Sequence, residues 1–120
     1  MTQRAAKKAR RSTGPRLTHN VYVVELDDRV LNDRRFRDRN PLRRAELPCL
    51  YVGMTGLPVE RRFDNHKRGY KSNRYVQQHG LRLRPDLFAF LNPMPYAHAR
   101  RMEVELAEEL RGKGYAVWQG

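Results

Sequence analysis

Residues 49–66 read CLYVGMTGLPVERRFDNH, and this stretch contains the change from strand to helix on which the predicted fold rests. Its first part, CLYVG at 49–53, is a short apolar run of the strand type. The turn MTGLP follows, and its Pro58 suits the first turn of a helix, where no backbone N–H is needed. The pattern therefore predicts a helix over about 58–67 that ends before Gly69.

The remaining elements are predicted outward from this stretch. NVYVVEL at 20–26 is rich in β-branched and aromatic side chains, so we expect a first strand there. Downstream we expect a short helix over 72–79, a third strand at 86–91 and a long helix over 96–111. YAVW at 115–118 fits either a short closing strand or an extended tail. The order strand, strand, helix, helix, strand, helix indicates one small domain of mixed α/β (α+β) class.

The chain is strongly basic, with 25 Lys and Arg against 13 Asp and Glu in 120 residues, a net charge of +12. A polyanion is therefore the expected partner, with nucleic acid ahead of a membrane surface. Residues 1–17 contain six basic residues and no acid, and we expect them to form a flexible basic arm. Residues 27–47 are a second charged stretch, expected as an insertion that forms a long loop or a short exposed helix. The domain then occupies residues 18–120.

Several classes of protein are excluded at this stage. Cys49 is the only cysteine, so neither an intramolecular disulfide nor a cysteine-rich zinc site is possible. No run approaches the ~20 apolar residues of a membrane span, and no apolar segment follows the basic N-terminus as in a secretory signal. We expect a soluble cytoplasmic protein that does not bind membranes, and the sequence leaves its oligomeric state open.

Glu103 falls inside the apolar stripe of the 96–111 helix. At about 100° per residue the stripe consists of Ala99, Met102, Leu106 and Leu110. A bare carboxylate buried there costs several kcal/mol unless a cation or a hydrogen-bond donor meets it. Two interpretations follow: a buried salt bridge, or a carboxylate directed into a cleft to hold a metal ion.

Arg62 and His66 lie four residues apart in the 58–67 helix and so share one helical face, whereas Arg61 points nearly the opposite way. Singly, each is explained as an ordinary surface arginine or a bystander histidine. Together with an inward Glu103 they supply the cation, imidazole and carboxylate that cleavage of a phosphodiester requires.

These residues resemble the motifs of the GIY-YIG nucleases. NVY at 20–22 takes the place of the first motif, sharing its tyrosine, and YVG at 51–53 is a close match to the second. ERRFDNH at 60–66 is similar to the family's E-R-R-L-x-x-H helix, and Glu103 matches its metal-binding glutamate. The resemblance extends over residues 20–118 and implies a three-stranded antiparallel sheet flanked by helices.

The resemblance also implies a function: a metal-dependent endonuclease that hydrolyses phosphodiester bonds, with DNA favoured over RNA. Glu103 would bind one Mg²⁺ or Mn²⁺, and Arg62 would hold the non-bridging phosphate oxygens. Tyr22 would orient or deprotonate the attacking water with Tyr51 in support, and His66 would relay a proton or bind phosphate. The substrate contacts are assigned to Gly53, Arg62 and Lys67.

The chain departs from the family pattern at three places. Asn20 replaces the leading glycine, residues 27–47 replace a short hairpin loop, and the family's late asparagine falls near Ala116, which has no polar group. Asn92 and Gln119 are possible substitutes for that asparagine. Two alternative functions stay open: an inactive nucleic-acid-binding module on the same fold, and a basic structural component of a ribonucleoprotein.

Overall fold

The computed structural model describes residues 15–120, so most of the predicted basic arm lies outside the described residues. Four strands form one mixed sheet: β1 (Asn20–Leu26), β2 (Cys49–Thr55), β3 (Gly80–Leu83) and β4 (Ala116–Gln119). The strand order is β3-β1-β2-β4. β1 is antiparallel to both β2 and β3, whereas β4 is parallel to β2.

In the described part of the chain four α-helices accompany the sheet: α1 (Arg34–Asp38), α2 (Val59–Arg68), α3 (Arg74–His79) and α4 (Tyr96–Gly112). α2 and α3 lie against β1, and α4 lies against β2 and β4. The α+β class is thus confirmed, as are the two early strands and the three expected helices. The closing strand, left open by the sequence, is present as β4. Within residues 15–120, no helix combines the length and apolar character needed to cross a bilayer.

The predicted third strand is wrong in position. Residues 86–91 form two short 3₁₀ turns, and β3 lies earlier, at Gly80–Leu83. The side chain of Asn92 explains the difference, because its amide occupies the edge of β1 where a longer strand would pair. Asn92 Oδ1 accepts from the backbone N–H of Val21 at 2.8 Å, and Asn92 Nδ2 donates to the carbonyl of Val21 at 2.8 Å. The predicted three-stranded antiparallel sheet is therefore partly correct: β3, β1 and β2 match it, and β4 adds a parallel strand.

The charged segment 27–47, expected as a long loop or a short exposed helix, contains the short helix α1 and also contributes to the core. A 3₁₀ turn at Asp28–Asn32 and helix α1 bury the side chains of Val30 and Phe36 completely. The side chain of Asp33 caps α1 by accepting from the backbone N–H of Phe36. Two apolar residues among many charges are enough to attach the segment to the core, which composition alone did not indicate.

Asn40 joins this segment to the outer edge of the sheet. Its Oδ1 accepts from the backbone N–H of Val117 at 2.8 Å, and its Nδ2 donates to the carbonyl of Val117 at 3.1 Å and of Phe36 at 2.9 Å. Asn40 is buried, so water does not compete for these bonds. Since a buried backbone group without a partner is costly, Asn40 takes the place of a further strand beside β4.

We predict that Asn40→Ala destabilises the fold by about 1–3 kcal/mol, because the buried N–H of Val117 loses its acceptor, whereas the carbonyl of Val117 keeps Arg111 Nη2 as a donor. Asn32→Ala, at an exposed asparagine of the same segment, should change stability by less than about 0.5 kcal/mol. Urea denaturation of the two variants measures the difference. Equal effects would show that Asn40 does not hold the sheet edge.

Candidate active site

Two tyrosines lie side by side on one face of the sheet. Tyr22 pairs with Gly53 across β1 and β2, while Tyr51 pairs with Val24, so alternation puts both phenols on the same face. Their ring centroids are 6.1 Å apart. A Cβ added at Gly53 would come within 2.7 Å of Tyr22 Oη and 2.9 Å of Tyr51 Cε2. A glycine at this position is therefore what allows the two rings to lie together.

His66 reaches this face from α2 and is fully buried. The backbone N–H of Asn73 donates to His66 Nδ1 at 3.0 Å, and His66 Nε2 lies 2.7 Å from Tyr22 Oη. Because Nδ1 is an acceptor, the proton of the neutral ring is on Nε2, which donates to the phenol oxygen. Burial, reinforced by the charge of Arg62, lowers the pKa of His66 to about 4, so the ring is neutral at pH 7.

This geometry does not support the predicted role of His66 as a phosphate ligand or proton relay. Both ring nitrogens are engaged, Nδ1 by the backbone N–H of Asn73 and Nε2 by Tyr22 Oη, so the buried ring has no nitrogen left for a phosphate or a water. Its hydrogen bond instead fixes Tyr22, since it occupies one acceptor position of the phenol oxygen. His66 is a positioning residue in this arrangement, and the burial that assigns it this role is not visible in the sequence.

Arg62 lies one turn before His66 and is half-buried beside the tyrosines. Its Nη2 donates to the carbonyl of Lys71 at 2.9 Å. Lys71 has a left-handed backbone with a φ of 47°, uncommon for a residue other than glycine. Burial raises the pKa of both Tyr22 and Tyr51, and the charge of Arg62 acts against this effect at each phenol. Arg62 therefore stands within electrostatic reach of both.

Glu103 enters from α4 and is half-buried, as the helical wheel predicted. Its Oε1 accepts from Gln119 Nε2 at 2.9 Å. Burial raises the pKa of Glu103, while Gln119 and then Arg100 act in the opposite direction. The carboxylate of Glu103 also contributes to the raised pKa of Tyr51, which links it to the two phenols. Among residues 15–120 no basic side chain lies within 4.0 Å of the Glu103 carboxylate. The buried salt bridge, one of the two interpretations of Glu103, is therefore not formed within this part of the chain.

The two possible substitutes for the late asparagine have different roles. Asn92 is structural, because its amide is used on Val21. Gln119 belongs to the candidate site through its bond to Glu103. Ala116 itself is buried and pairs with Cys49 in the sheet. Residue type alone did not distinguish the two amides, since only the path of β4 brings Gln119 to α4.

The two other predicted substrate contacts have structural roles. Lys67 Nζ donates to the carbonyls of Gly80, Gln77 and Val76 at 2.9, 3.1 and 3.4 Å, respectively. These bonds satisfy the carbonyls of Gln77 and Gly80 where α3 ends and add a second donor to the carbonyl of Val76, which also accepts from the backbone N–H of Gly80. Gly53 is buried beneath the two phenols. Of the three predicted substrate contacts, Arg62 alone therefore keeps side-chain donors available for a phosphate.

Glu103 offers one carboxylate as a donor to a divalent cation. Residues 15–120 contain no cluster of three or more His, Cys, Asp or Glu side chains of the kind that a structural zinc site uses. Mg²⁺ differs, because it keeps several waters and typically uses only one or two protein carboxylates. A single half-buried carboxylate, oriented by Gln119, meets that requirement.

No protein-family model, curated protein or solved structure matches the chain.

We predict that His66 makes the fold sensitive to acid. The unfolded chain protonates this residue below its ordinary pKa of 6.5, whereas the folded ring does so only near 4. Between these values the unfolded state binds more protons, so the free energy of unfolding falls as the pH falls, by at most about 1.4 kcal/mol per pH unit for this one group. Below pH ~4 this contribution is already lost.

Urea denaturation between pH 7 and 4 measures this dependence. His66→Gln should flatten the slope relative to the wild type, and His98→Gln, at an exposed histidine, should leave it unchanged. A His66→Gln variant with the full wild-type slope would contradict the assignment.

Proposed function

We propose that the protein is a cytoplasmic, divalent-metal-dependent endonuclease of the GIY-YIG type that hydrolyses phosphodiester bonds, with DNA favoured over RNA. The observation that carries the proposal is that Tyr22, Tyr51 and His66 lie together on one face of the sheet. The charge of Arg62 acts on both phenols, and the charge of Glu103 acts on Tyr51. These residues come from two strands and two helices that are distant in sequence.

Arg62 is suited to bind the non-bridging oxygens of the phosphate. A guanidinium has five N–H donors in a planar fork, and the bond to Lys71 uses only part of them. Because Arg62 is half-buried, its charge is less screened than that of an exposed arginine. We assign it to neutralising the charge that develops on the phosphate during hydrolysis.

Tyr22 orients the attacking water in this proposal. Burial keeps its pKa above the ordinary value, so the phenol is protonated near pH 7 and is a poor base on its own. His66 occupies one acceptor position of the phenol oxygen, and another remains for a water O–H. Of the two roles that the sequence left open for Tyr22, orientation of water agrees better with this environment than deprotonation.

Glu103 would hold the Mg²⁺ or Mn²⁺ ion, and Gln119 orients the carboxylate through its amide N–H. When bound, such an ion supplies a Lewis acid that stabilises the leaving oxygen. The remaining ligands of a hard cation of this kind are waters and phosphate oxygens.

An inactive nucleic-acid-binding module is the second candidate function. The observation that favours it is Ala116, which offers no polar group where the family places its late asparagine and which is buried in the sheet. This alternative requires that nucleic acid still binds but is not cut in the presence of Mg²⁺ or Mn²⁺.

We expect the protein to nick supercoiled plasmid in Mg²⁺ or Mn²⁺ and to be inert in EDTA. Glu103→Ala and Arg62→Ala should each reduce the rate by about 100-fold or more, because they remove the metal ligand and the phosphate cation. Glu105→Ala and Arg61→Ala are matched controls, since both residues are exposed and adjacent in the same helices. Both controls should cut at nearly the wild-type rate.

Thermal unfolding of all four variants checks that the fold persists. If the wild-type protein cuts neither plasmid nor structured oligonucleotides with either metal, the binding module is the better description. If Glu103→Ala cuts as fast as Glu105→Ala, the metal ligand has been assigned wrongly.

We also expect Tyr22→Phe to reduce kcat by about 100-fold, the lower end of the range for a group that manages a proton or orients water. Binding of an oligonucleotide in EDTA should be unchanged, because the phenol is buried and contributes little to affinity. Tyr96→Phe, at an exposed tyrosine, is the control for loss of a hydroxyl. A Tyr22→Phe variant that binds more weakly but turns over normally would argue against a role in the chemical step.

A further inference from the structure

Arg35 in α1 and Arg39, the residue that caps the C-terminus of α1, lie over the indole of Trp118. Arg35 and Arg39 are four residues apart, so their side chains share one face of the helix. Their guanidinium carbons lie 6.0 and 5.3 Å, respectively, from the centroid of the Trp118 ring. We call these three side chains the arginine platform. Both arginines are exposed, so an arriving ligand can reach them.

The indole beneath the arginines is held rigidly. Phe36 stacks on Trp118 with 6.2 Å between ring centroids and 19° between planes. Tyr75 meets the same ring edge-on at 4.9 Å and 67°, and its hydroxyl donates to Asp33 Oδ1 at 2.9 Å. Asp33 also caps α1. Through Asp33 and Tyr75, helix α1 and the indole of Trp118 are therefore packed together as one unit.

Arg35 and Arg39 differ from the other arginines of the 27–47 segment in how their donors are used. Three of the others form ion pairs, and two donate to backbone carbonyls: Arg29 with Asp27, Arg34 with Asp38, Arg44 with Glu46, Arg37 with Leu31 and Arg43 with Asn40. Within residues 15–120, Arg35 and Arg39 make neither kind of contact through their side chains. A stacked guanidinium keeps its in-plane N–H groups free, which is the state that suits recognition of phosphate.

The platform lies next to the candidate active site. Trp118 pairs with Tyr51 across β2 and β4, so the two rings lie on the same face of the sheet. Neighbouring strands are ~4.8 Å apart. A polynucleotide strand bound with one phosphate at Tyr51 and Arg62 therefore passes close to the platform.

We propose that Arg35 and Arg39 bind a backbone phosphate beside the cleaved bond, on the same nucleic-acid strand and independently of base identity. The position relative to the cleaved bond rests on the proposed nuclease function, whereas the phosphate contact itself does not. The stacking on Trp118 holds both guanidinium groups in place before binding, so little side-chain freedom is lost when the phosphate arrives. This contact positions the strand and reads no sequence.

The test compares two double variants that remove the same charge. Arg35→Gln/Arg39→Gln removes the platform cations, and Arg34→Gln/Arg44→Gln removes two exposed arginines of the same segment that are already ion-paired. Binding of a labelled DNA oligonucleotide to the full chain is measured in EDTA over a range of salt concentrations. The platform variant should bind at least about 10-fold more weakly than the control at low salt, with a salt slope on duplex DNA smaller by about 0.9 for the one lost phosphate contact.

Trp118 is the only tryptophan in the chain, so its fluorescence provides a second measurement. Oligonucleotide should change the emission of the wild type and of the control, but not that of the platform variant. Arg35→Lys/Arg39→Lys retains the charge without the planar fork, and we expect intermediate affinity.

The two proposals can fail separately. Equal affinity and salt slope in the two glutamine variants would overturn the platform, whether or not the protein cuts nucleic acid. Polyglutamate that competes as strongly as the oligonucleotide would also overturn it, because the site would then recognise anions in general. A platform variant that binds weakly, in a protein that never cuts, would support the phosphate contact and reject the nuclease.

Discussion

The hydrogen bonds of the buried His66 fix the geometry of the candidate site. The ring belongs to α2, accepts from the backbone ahead of α3 and donates to Tyr22 in β1, so it ties three elements together at one point. Protonation of Nδ1 would place its N–H against the N–H of Asn73, and it would also bury a charged ring. Both effects oppose protonation of His66. Because Arg62 lies one turn earlier in the same helix, its position beside the phenols follows from this anchor. The site is thus specified by a neutral, fully satisfied imidazole.

The edges of the sheet impose a second constraint. β3 is short and leaves Val21 of β1 without a strand partner, and β4 is an edge strand whose outer backbone groups face no further strand. Two asparagine amides solve this problem in the same way, Asn92 at Val21 and Asn40 at Val117, each with one donor and one acceptor. The Asn40 bonds also hold the end of α1 against β4. The arginines over Trp118 are therefore positioned by the same contacts that close the sheet edge.

Local patterns in the sequence predicted the elements that are long and periodic. β1, β2, α2 and α4 followed from alternation, helical spacing and punctuation by proline and glycine, and the helical wheel found the inward placement of Glu103. What the sequence could not supply depends on pairing between distant residues. Asn40 and Val117 are 77 positions apart, and a charged segment with only two buried apolar side chains resembles an exposed loop. The sequence also did not show that Lys67 and His66 have structural roles, because their partners lie in other elements. Lys67 donates to a carbonyl of α3, and His66 accepts from a backbone N–H in the loop before α3.

Burial of Tyr22, Tyr51 and His66 also determines the net charge of the candidate site. Burial raises the pKa of both phenols and lowers that of His66, so all three rings are neutral at pH 7. Among the five proposed catalytic side chains, Arg62 and Glu103 are then the two charged groups, one cation and one anion. A phosphodiester adds a negative charge, and more develops during hydrolysis, which one arginine does not balance. In the proposed function a divalent cation at Glu103 would restore the balance, and the exposed Arg35 and Arg39 add positive potential beside the site. The neutrality of the buried rings therefore supports the proposed dependence on a metal ion, in addition to the placement of the carboxylate.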